Sequence, residues 1–353
     1  MEIFWILADS FMRNRPHSIS LHFVQAVLNA ARRMGLDEQQ LLDESGISPQ
    51  LLENLGLRVT SDQFSRLMLA IWQLGDDEFM GLTPQRSRHG VFALMARQVV
   101  RCKSLGAVYY QLSRFYNLTN ESLHLELQVE GDQARFFMRL AAAEQDADHL
   151  FREFFMLLWH RFPSWLIGQR IPLNHVGFDY PEPDNAPEYR LLFPCPTCFD
   201  QATNSLVFPV TLLNAPVVQT PATLRVHLKR APLDWFVYQT YNSAYTRNVL
   251  DYLEGSPDLA LTSIQEVAAV LHLTERTLRR KLAQEGTSFQ DIKDGIRRDL
   301  AIHLLNRPAL SMTEISRQLG FSEASAFTRA FRQWTGISPG HYRKTAQGKQ
   351  RHG

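Results

Sequence analysis

Ser311-Met312-Thr313-Glu314-Ile315-Ser316, near the end of a chain of 353 residues, repeats the spacing and chemistry of Ser263-Ile264-Gln265-Glu266-Val267-Ala268. Each stretch opens as a capping box. A Ser at the N-cap accepts a bond from the amide three residues on, and the Glu at that position reaches back to the Ser amide, which fixes where a helix begins. The match continues with Leu271 against Leu319, Leu273 against Phe321, and Thr274-Glu275 against Ser322-Glu323. One extra residue then enters the second copy, after which Leu278, Arg280 and Leu282 match Phe327, Arg329 and Phe331, and Gly286 and Gly336 close the two copies. The repeated unit reads as helix, tight turn, helix with its apolar residues turned inward, over 264–285 and 312–335.

A short helix braced across a turn by its partner can lay its outer face in a DNA major groove while its inner face stays packed. The outward residues are Arg276, Thr277, Arg279 and Arg280 in the first copy, and Ala324, Ser325, Thr328, Arg329 and Arg332 in the second; these are the candidate DNA-binding residues. Arginine bonds bidentately to guanine or clamps a phosphate, Ser and Thr bond either, and a small Ala can lie against a thymine methyl. Helix N-termini at Thr274 and Ser322 offer further amides to phosphate. Between the copies, Phe289, Ile292, Ile296, Leu300 and Leu304 have the spacing of one amphipathic helix. At 1.5 Å per residue its length is roughly 25 Å, against about 34 Å between successive major grooves. Arg297 and Arg298 on this spacer either touch the DNA backbone or pair with Asp294 and Asp299.

The run Gly320-Phe321-Ser322-Glu323-Ala324-Ser325-Ala326-Phe327-Thr328-Arg329-Ala330-Phe331, then Trp334, Gly336-Ile337-Ser338-Pro339 and Tyr342-Arg343, resembles the C-terminal signature of the AraC/XylS family of bacterial transcription regulators. Thr274–Leu282 with Gly286 is similar to that family too, and the resemblance covers roughly 248–344. It implies a seven-helix domain with two helix-turn-helix units joined by the long helix, and base contacts from the second helix of each. Further forward, Phe193, Cys195-Pro196, Phe199, Asn204, Leu206, Phe208 and Pro216 resemble the arabinose-binding-type ligand-binding domain that precedes this module in one branch of the family. The resemblance implies double-stranded promoter DNA as partner, a homodimer, a small-molecule effector or partner acting on the front domain, and a contact with RNA polymerase. It implies no catalytic residues, no cofactor and no metal.

The remaining sequence agrees with two domains. Cut before Phe236, residues 236–353 hold 16 Lys+Arg against 11 Asp+Glu, a net of +5, while residues 1–235 come to a net of −4. A basic module thus follows an acidic one, which suits an anionic partner at the C-terminal end. In the front part, helical spacing runs through Leu21–Met34, Phe64–Leu74, Val91–Tyr116 and Leu150–Phe162. Leu123, Leu125, Leu127 and Val129 alternate with polar residues, Gly131-Asp132 supplies a turn, and Ala134, Phe136 and Met138 alternate again, which predicts a hairpin. Shorter strands are predicted near Val176–Tyr180 and Ser205–Phe208, a loop at Pro181–Pro187, and a linker helix or last front-domain helix between Pro221 and Asp234. The expected fold is therefore an α+β N-terminal regulatory domain, 1–235, followed by an all-α C-terminal domain with two helix-turn-helix units joined by a long helix, 236–346, and a basic tail, 347–353. Ile3–Leu7 is a short apolar run with Glu2 where a basic region would stand, so no secretory signal is read. No stretch approaches the roughly 20 apolar residues of a membrane span, and three cysteines make no disulfide framework. The expected location is the cytoplasm.

Other features are read conservatively. Cys195-Pro196-Thr197-Cys198 could close a disulfide or hold half a zinc site, but a second ligand pair is missing and two packed thiols are the simpler reading. His160, His175 and His303 read as surface or core histidines, and the stripe Phe151, Phe154, Phe155, Trp159 and Phe162 as core. Val24–Leu55 imitates a third DNA-binding unit, yet Pro49–Leu55 has no basic outer face and carries Glu53, which phosphate repels. A fused enzyme would need a phosphate loop, nucleophile elbow or metal constellation, none of which is found in 1–235. An architectural protein binding DNA with little sequence preference is the other alternative.

Overall fold

The computed structural model describes residues 18–54, 56–193, 195–236, 245–256, 262–284, 287–307 and 309–346. The opening run 3–7, Gly286 and the tail 347–353, all singled out above, lie outside them. Chain order is β1 (Ser18–Ser20), α1 (Leu21–Arg33), α2 (Glu38–Ser45), β2 (Arg58–Thr60), α3 (Ser61–Gly75), α4 (Val91–Val99), α5 (Leu105–Thr119), β3 (Leu123–Glu130), β4 (Gln133–Leu140), α6 (Leu150–Leu166), β5 (His175–Gly177), α7 (Ala186–Leu192), β6 (Thr197–Cys198), β7 (Asn204–Pro209), α8 (Pro221–Arg230) and α9 (Leu233–Phe236). Then follow α10 (Tyr245–Gly255), α11 (Ile264–Val270), α12 (Glu275–Gln284), α13 (Phe289–Leu305), α14 (Met312–Gln318), α15 (Ala324–Thr335) and α16 (Pro339–Ala346). Two compact units result. One takes the described residues of 22–44 and 65–241, the other those up to 21, of 45–64 and after 242.

The first unit is α+β. Its five-stranded sheet has the order β3-β4-β7-β5-β6, antiparallel except for the β5–β6 pair. The predicted hairpin forms in register, Leu123 opposite Leu140 and Glu130 opposite Gln133, because a one-residue slip would turn Leu125 and Phe136 out of the core. Ala134, Phe136 and Met138 on β4 and Leu206 and Phe208 on β7 are fully buried. Tyr109 of α5 lies on that surface, its ring 4.8 Å from Phe136 and 5.5 Å from Phe208. Of the aromatic stripe of α6, Phe151, Phe155, Trp159 and Phe162 are buried as read, while Phe154 is only half-buried. Arg152 ties α6 to the sheet, bonding Asp146 at 3.0 Å and Asp179 at 2.8 Å, while Asn204 on β7 donates to Asp179 at 2.8 Å. Buried charges survive only when paired in this way.

Three local readings change. The helical spacing through 91–116 is two helices, because α4 ends at Val99 and the extended Ser104 accepts the Ala107 amide as the N-cap of α5 and bridges to Pro216. The predicted loop ends early, since Pro187 sits in the first turn of α7, where its missing N–H costs nothing. The strand near 176–180 is only His175–Gly177. Between Pro221 and Asp234 the chain makes α8 and enters α9, the last helices of this unit: Leu224, His227 and Trp235 are buried, with His227 stacked 4.2 Å from Trp165.

The second unit is helical apart from the β1–β2 pair. Val249 and Leu253 of α10, Ile264, Val267 and Ala268 of α11, Leu278 and Leu282 of α12, and Ile292 and Ile296 of α13 form one core. The other end of α13 buries Ile302 and Leu305 together with Ile315, Leu319, Phe327, Phe331 and Tyr342. The β1–β2 pair grips the spacer: buried Arg58 donates to the Ser18 hydroxyl and carbonyl, both at 2.8 Å, and the Ser18 hydroxyl donates to Asp299 of α13. The Tyr342 hydroxyl donates to the Arg58 carbonyl at 2.8 Å. Pro49–Glu53 is a single 3-10 turn packed on α16, not a third presented helix. No described helix is long and apolar enough to cross a membrane.

Candidate nucleic-acid interface

Both capping boxes form. The Ser263 hydroxyl accepts the Glu266 amide at 3.2 Å and the Ser311 hydroxyl accepts the Glu314 amide at 3.2 Å, with each Glu carboxylate taking the Ser amide in return. The Ser311 side chain, then its amide, hold Glu314 below the usual carboxylate range. The turns that follow are alike bond for bond. His272 N–H donates to Ala269 O at 3.1 Å and Leu273 N–H to Ala268 O at 2.8 Å; Gly320 N–H donates to Arg317 O and Phe321 N–H to Ser316 O, both at 3.0 Å. This is the Schellman pattern, which needs a left-handed residue, and φ is +55° at His272 and +75° at Gly320.

The turn swings α12 and α15 out with one apolar edge inward, Leu278 and Leu282 in one and Phe327 and Phe331 in the other, all fully buried. Opposite those edges, Arg276, Arg279, Arg280, Ser325, Thr328, Arg329 and Arg332 are exposed, and Thr277 and Ala324 half-buried. Ser325, Thr328, Arg329 and Arg332 fall at i, i+3, i+4 and i+7, one continuous strip. Arg276, Arg280, Arg329 and Arg332 have no ion-pair or hydrogen-bond partner among the described residues. Others are engaged locally: Arg279 pairs with Glu275 at 2.7 Å, Thr328 bonds its hydroxyl to the Ala324 carbonyl at 2.8 Å, and Ser325 donates to Glu323 at 3.0 Å. An exposed i,i+4 pair is worth only a few tenths of a kcal/mol, about 0.3–0.5, so a phosphate can displace it.

The two helix starts differ. Thr274 accepts the Thr277 amide at 3.2 Å, a neutral cap. In the second copy α15 begins at Ala324 with Glu323 as N-cap, one residue later than the start read at Ser322, and Glu323 makes no side-chain cap bond. The extra residue of that copy is spent here, and phosphate approaching this end meets a carboxylate. Gln333, exposed and four residues beyond Arg329, belongs to the same strip and was missed; the i+4 interval was its signal. On the spacer, Arg297 lies 3.8 Å from Asp294 and 5.0 Å from the Phe321 ring centre, and Arg298 pairs with Asp299 at 3.3 Å, so both brace the fold.

The other residues singled out from the sequence sit in packing roles. Phe193, Asn204, Leu206 and Phe208 are buried in and around the sheet. Burial pushes the Cys195 thiol up to about 12, the opposite of a reactive thiolate, and the described residues hold no cluster of three metal-binding side chains. His160 is buried against the Ile171 carbonyl at 2.8 Å, and burial lowers it to about 3. Burial also lowers His175, and takes His303 to about 4.

Comparison with known proteins gives two family matches: "Arabinose-binding domain of AraC transcription regulator, N-term" over residues 35–217, and "Helix-turn-helix domain" over residues 267–345. The ornithine utilization regulator of Pseudomonas aeruginosa is 28% identical across 92% of this chain and 96% of that protein. The HTH-type transcriptional regulator VqsM of the same species is 39% identical across 27% of this chain and 29% of that one. A solved structure, transcriptional regulator CdpR of Pseudomonas aeruginosa, is 22% identical over 92% of this chain and 98% of that chain, with a TM-score of 0.32, too loose a superposition to argue from.

Proposed function

Given that this chain belongs to the AraC family of DNA-binding transcription regulators, with an N-terminal ligand-binding domain ahead of its helix-turn-helix domain, we propose that α12 and α15 are its recognition helices. Arg276, Thr277, Arg279 and Arg280 of the first, and Ala324, Ser325, Thr328, Arg329 and Arg332 of the second, meet base edges and phosphates of promoter DNA. The observation that carries this reading is the repeated turn, which presents a basic strip on both helices while the opposite edge of each is sealed in a core. Glu323 directs phosphate contact toward the arginines rather than the start of α15.

Residues 236–346 carry DNA binding in this reading, and residues 1–235 carry effector binding and dimerisation. A dimer brings four helix-turn-helix units to repeated half-sites, and an effector acts by its difference in affinity between two arrangements of the dimer. RNA polymerase is the further partner at the promoter, the cytoplasm is the place of action, and the protein performs no catalysis.

The test is binding of the purified protein to its own upstream region against random DNA of equal length at fixed salt, with Arg329→Ala and Arg279→Ala alongside. Specific binding is expected, weakened by about 1–3 kcal/mol in either variant. Equal affinity for both DNAs, falling steeply with salt, would instead identify an architectural protein.

A further inference from the structure

Within the α+β unit, α3, α4, α6 and the α8–α9 segment enclose a cavity of about 340 Å³. By the roughly 30 Å³ that a water molecule occupies, it holds on the order of ten non-hydrogen atoms. We propose that this cavity is a binding site for a hydrophobic amine, an aromatic or alkyl body carrying one protonated nitrogen that is held at Glu78. The site stands on its own geometry; only the role of its occupant as effector rests on the function proposed above.

The wall fixes the body of the ligand. Trp72, Phe79, Phe92, Phe155 and Trp235 line it and are buried. Their ring faces carry the negative end of a quadrupole, which attracts a cation and repels an anion. The indole nitrogens of Trp72 and Trp235 lack partners but are covered by surrounding atoms, so the cavity meets the carbon surfaces of these rings and not their donors.

The polar groups fix the head. Glu78 is anchored at the start of α4, one carboxylate oxygen accepting the Gly90 amide at 2.7 Å and the other the Phe92 amide at 2.8 Å, and each oxygen keeps a lone pair free of those bonds. Burial holds this carboxyl up at about 7. Tyr116, 2% exposed, also lines the cavity, and its hydroxyl has no hydrogen-bond partner among the described residues. An ammonium donor satisfies both groups. Lys229 of the lining is exposed at the rim, where water screens it, and the exposed His89 imidazole stands at the same rim with Nδ1 3.8 Å from one Glu78 oxygen.

The probe is 2-phenylethylamine, compared with 3-phenylpropionate, a carboxylate of similar shape, on the full chain at a pH well above 7. Tryptophan fluorescence and the melting temperature report binding, and affinity for the upstream DNA is measured with and without probe. The amine is expected to change the fluorescence saturably and raise the melting temperature, while the carboxylate does neither. Glu78→Gln should weaken the amine by about tenfold or more, and Tyr116→Phe severalfold. Because Glu78 also caps α4, Ala93→Leu serves as a variant that fills the cavity and leaves that cap in place; it should abolish binding in a folded protein. Equal binding of the carboxylate, amine binding that survives Ala93→Leu, or no response to 2-phenylethylamine, benzylamine or hexylamine at millimolar concentration overturns the site. Amine binding that leaves DNA affinity unchanged supports the site and overturns the effector role alone.

Discussion

Glu153 is buried on α6 with the Tyr189 hydroxyl donating to one carboxylate oxygen and no partner for the other among the described residues. Burial dominates over that hydrogen bond and raises its pKa from 4.5 to about 8. The folded chain therefore keeps a proton that the unfolded chain releases. The stabilisation is complete below pH 4.5 and is lost as pH rises through about 8. His160 and His149, lowered by burial to about 3 and about 4 from 6.5, act oppositely, but their contribution is already complete above 6.5. Between pH 6.5 and 8 the carboxylates thus decide the slope, Glu153 above all, since Glu78 titrates at about 7 and Asp146 at about 6. The near-UV signal of Trp72, Trp159, Trp165 and Trp235 should melt at lower temperature as pH rises through this window, at most about 1.4 kcal/mol per pH unit for one proton. Glu153→Gln keeps an acceptor for Tyr189 and should flatten most of that slope. A slope unchanged in the variant would show that Glu153 does not hold the proton.

The Schellman turn between α11 and α12 and its twin between α14 and α15 use the same two hydrogen bonds, yet one places His and the other Gly at the left-handed position. A side chain with a Cβ pays roughly 1–2 kcal/mol there, and Gly returns part of that relief through the greater freedom it gives the unfolded chain. His272→Gly should stabilise the helical unit by up to about 1 kcal/mol and Gly320→Ala destabilise it by about 1–2 kcal/mol, in urea melts followed by helical circular dichroism. Changes of the same sign would break the equivalence of the turns. This equivalence was legible because it is local: Ser263 with Glu266 and Ser311 with Glu314 announce helix starts within four residues, and the alternation from Leu123 to Met138 sets the hairpin. Boundaries read less well where a single polar residue decides them. Ser322 looked like the start by analogy with Thr274, but the extra residue moved the cap to Glu323. Ser104, inside an apolar periodicity, begins α5 by capping it, after α4 has already ended at Val99.

At the scale of the whole chain, the helical unit draws on residues that no periodicity connects to it. Ser18 and Arg58 lie far upstream of Asp299, and only the folded chain places the Ser18 hydroxyl on the Asp299 carboxylate with the Arg58 guanidinium behind it. The strip of arginines was readable because outward positions on a helix follow from inward ones, whereas this pinning joins residues too far apart in sequence for any local pattern to report it. It has a consequence for DNA binding, because Asp299 sits on α13, which joins the two recognition units. Arg58→Met keeps most of the side-chain volume and removes the donors to Ser18, a loss of about 1.5–3 kcal/mol for hydrogen bonds from a charged group. In a Trp334→Phe background, which removes the tryptophan of α15, the helical unit should melt earlier by that amount, while the tryptophan transition of the α+β unit, whose residues share none of these partners, should hold. Near the new melting point, affinity for the upstream DNA should fall through loss of folded protein, with the preference over random DNA retained at lower temperature. Fragment 236–353 lacks both Ser18 and Arg58 and should show at least the same deficit. A fragment as stable as the helical unit of the full chain, or an Arg58→Met protein that first loses its tryptophan transition, would mean that the β1–β2 pair does not support the spacer helix.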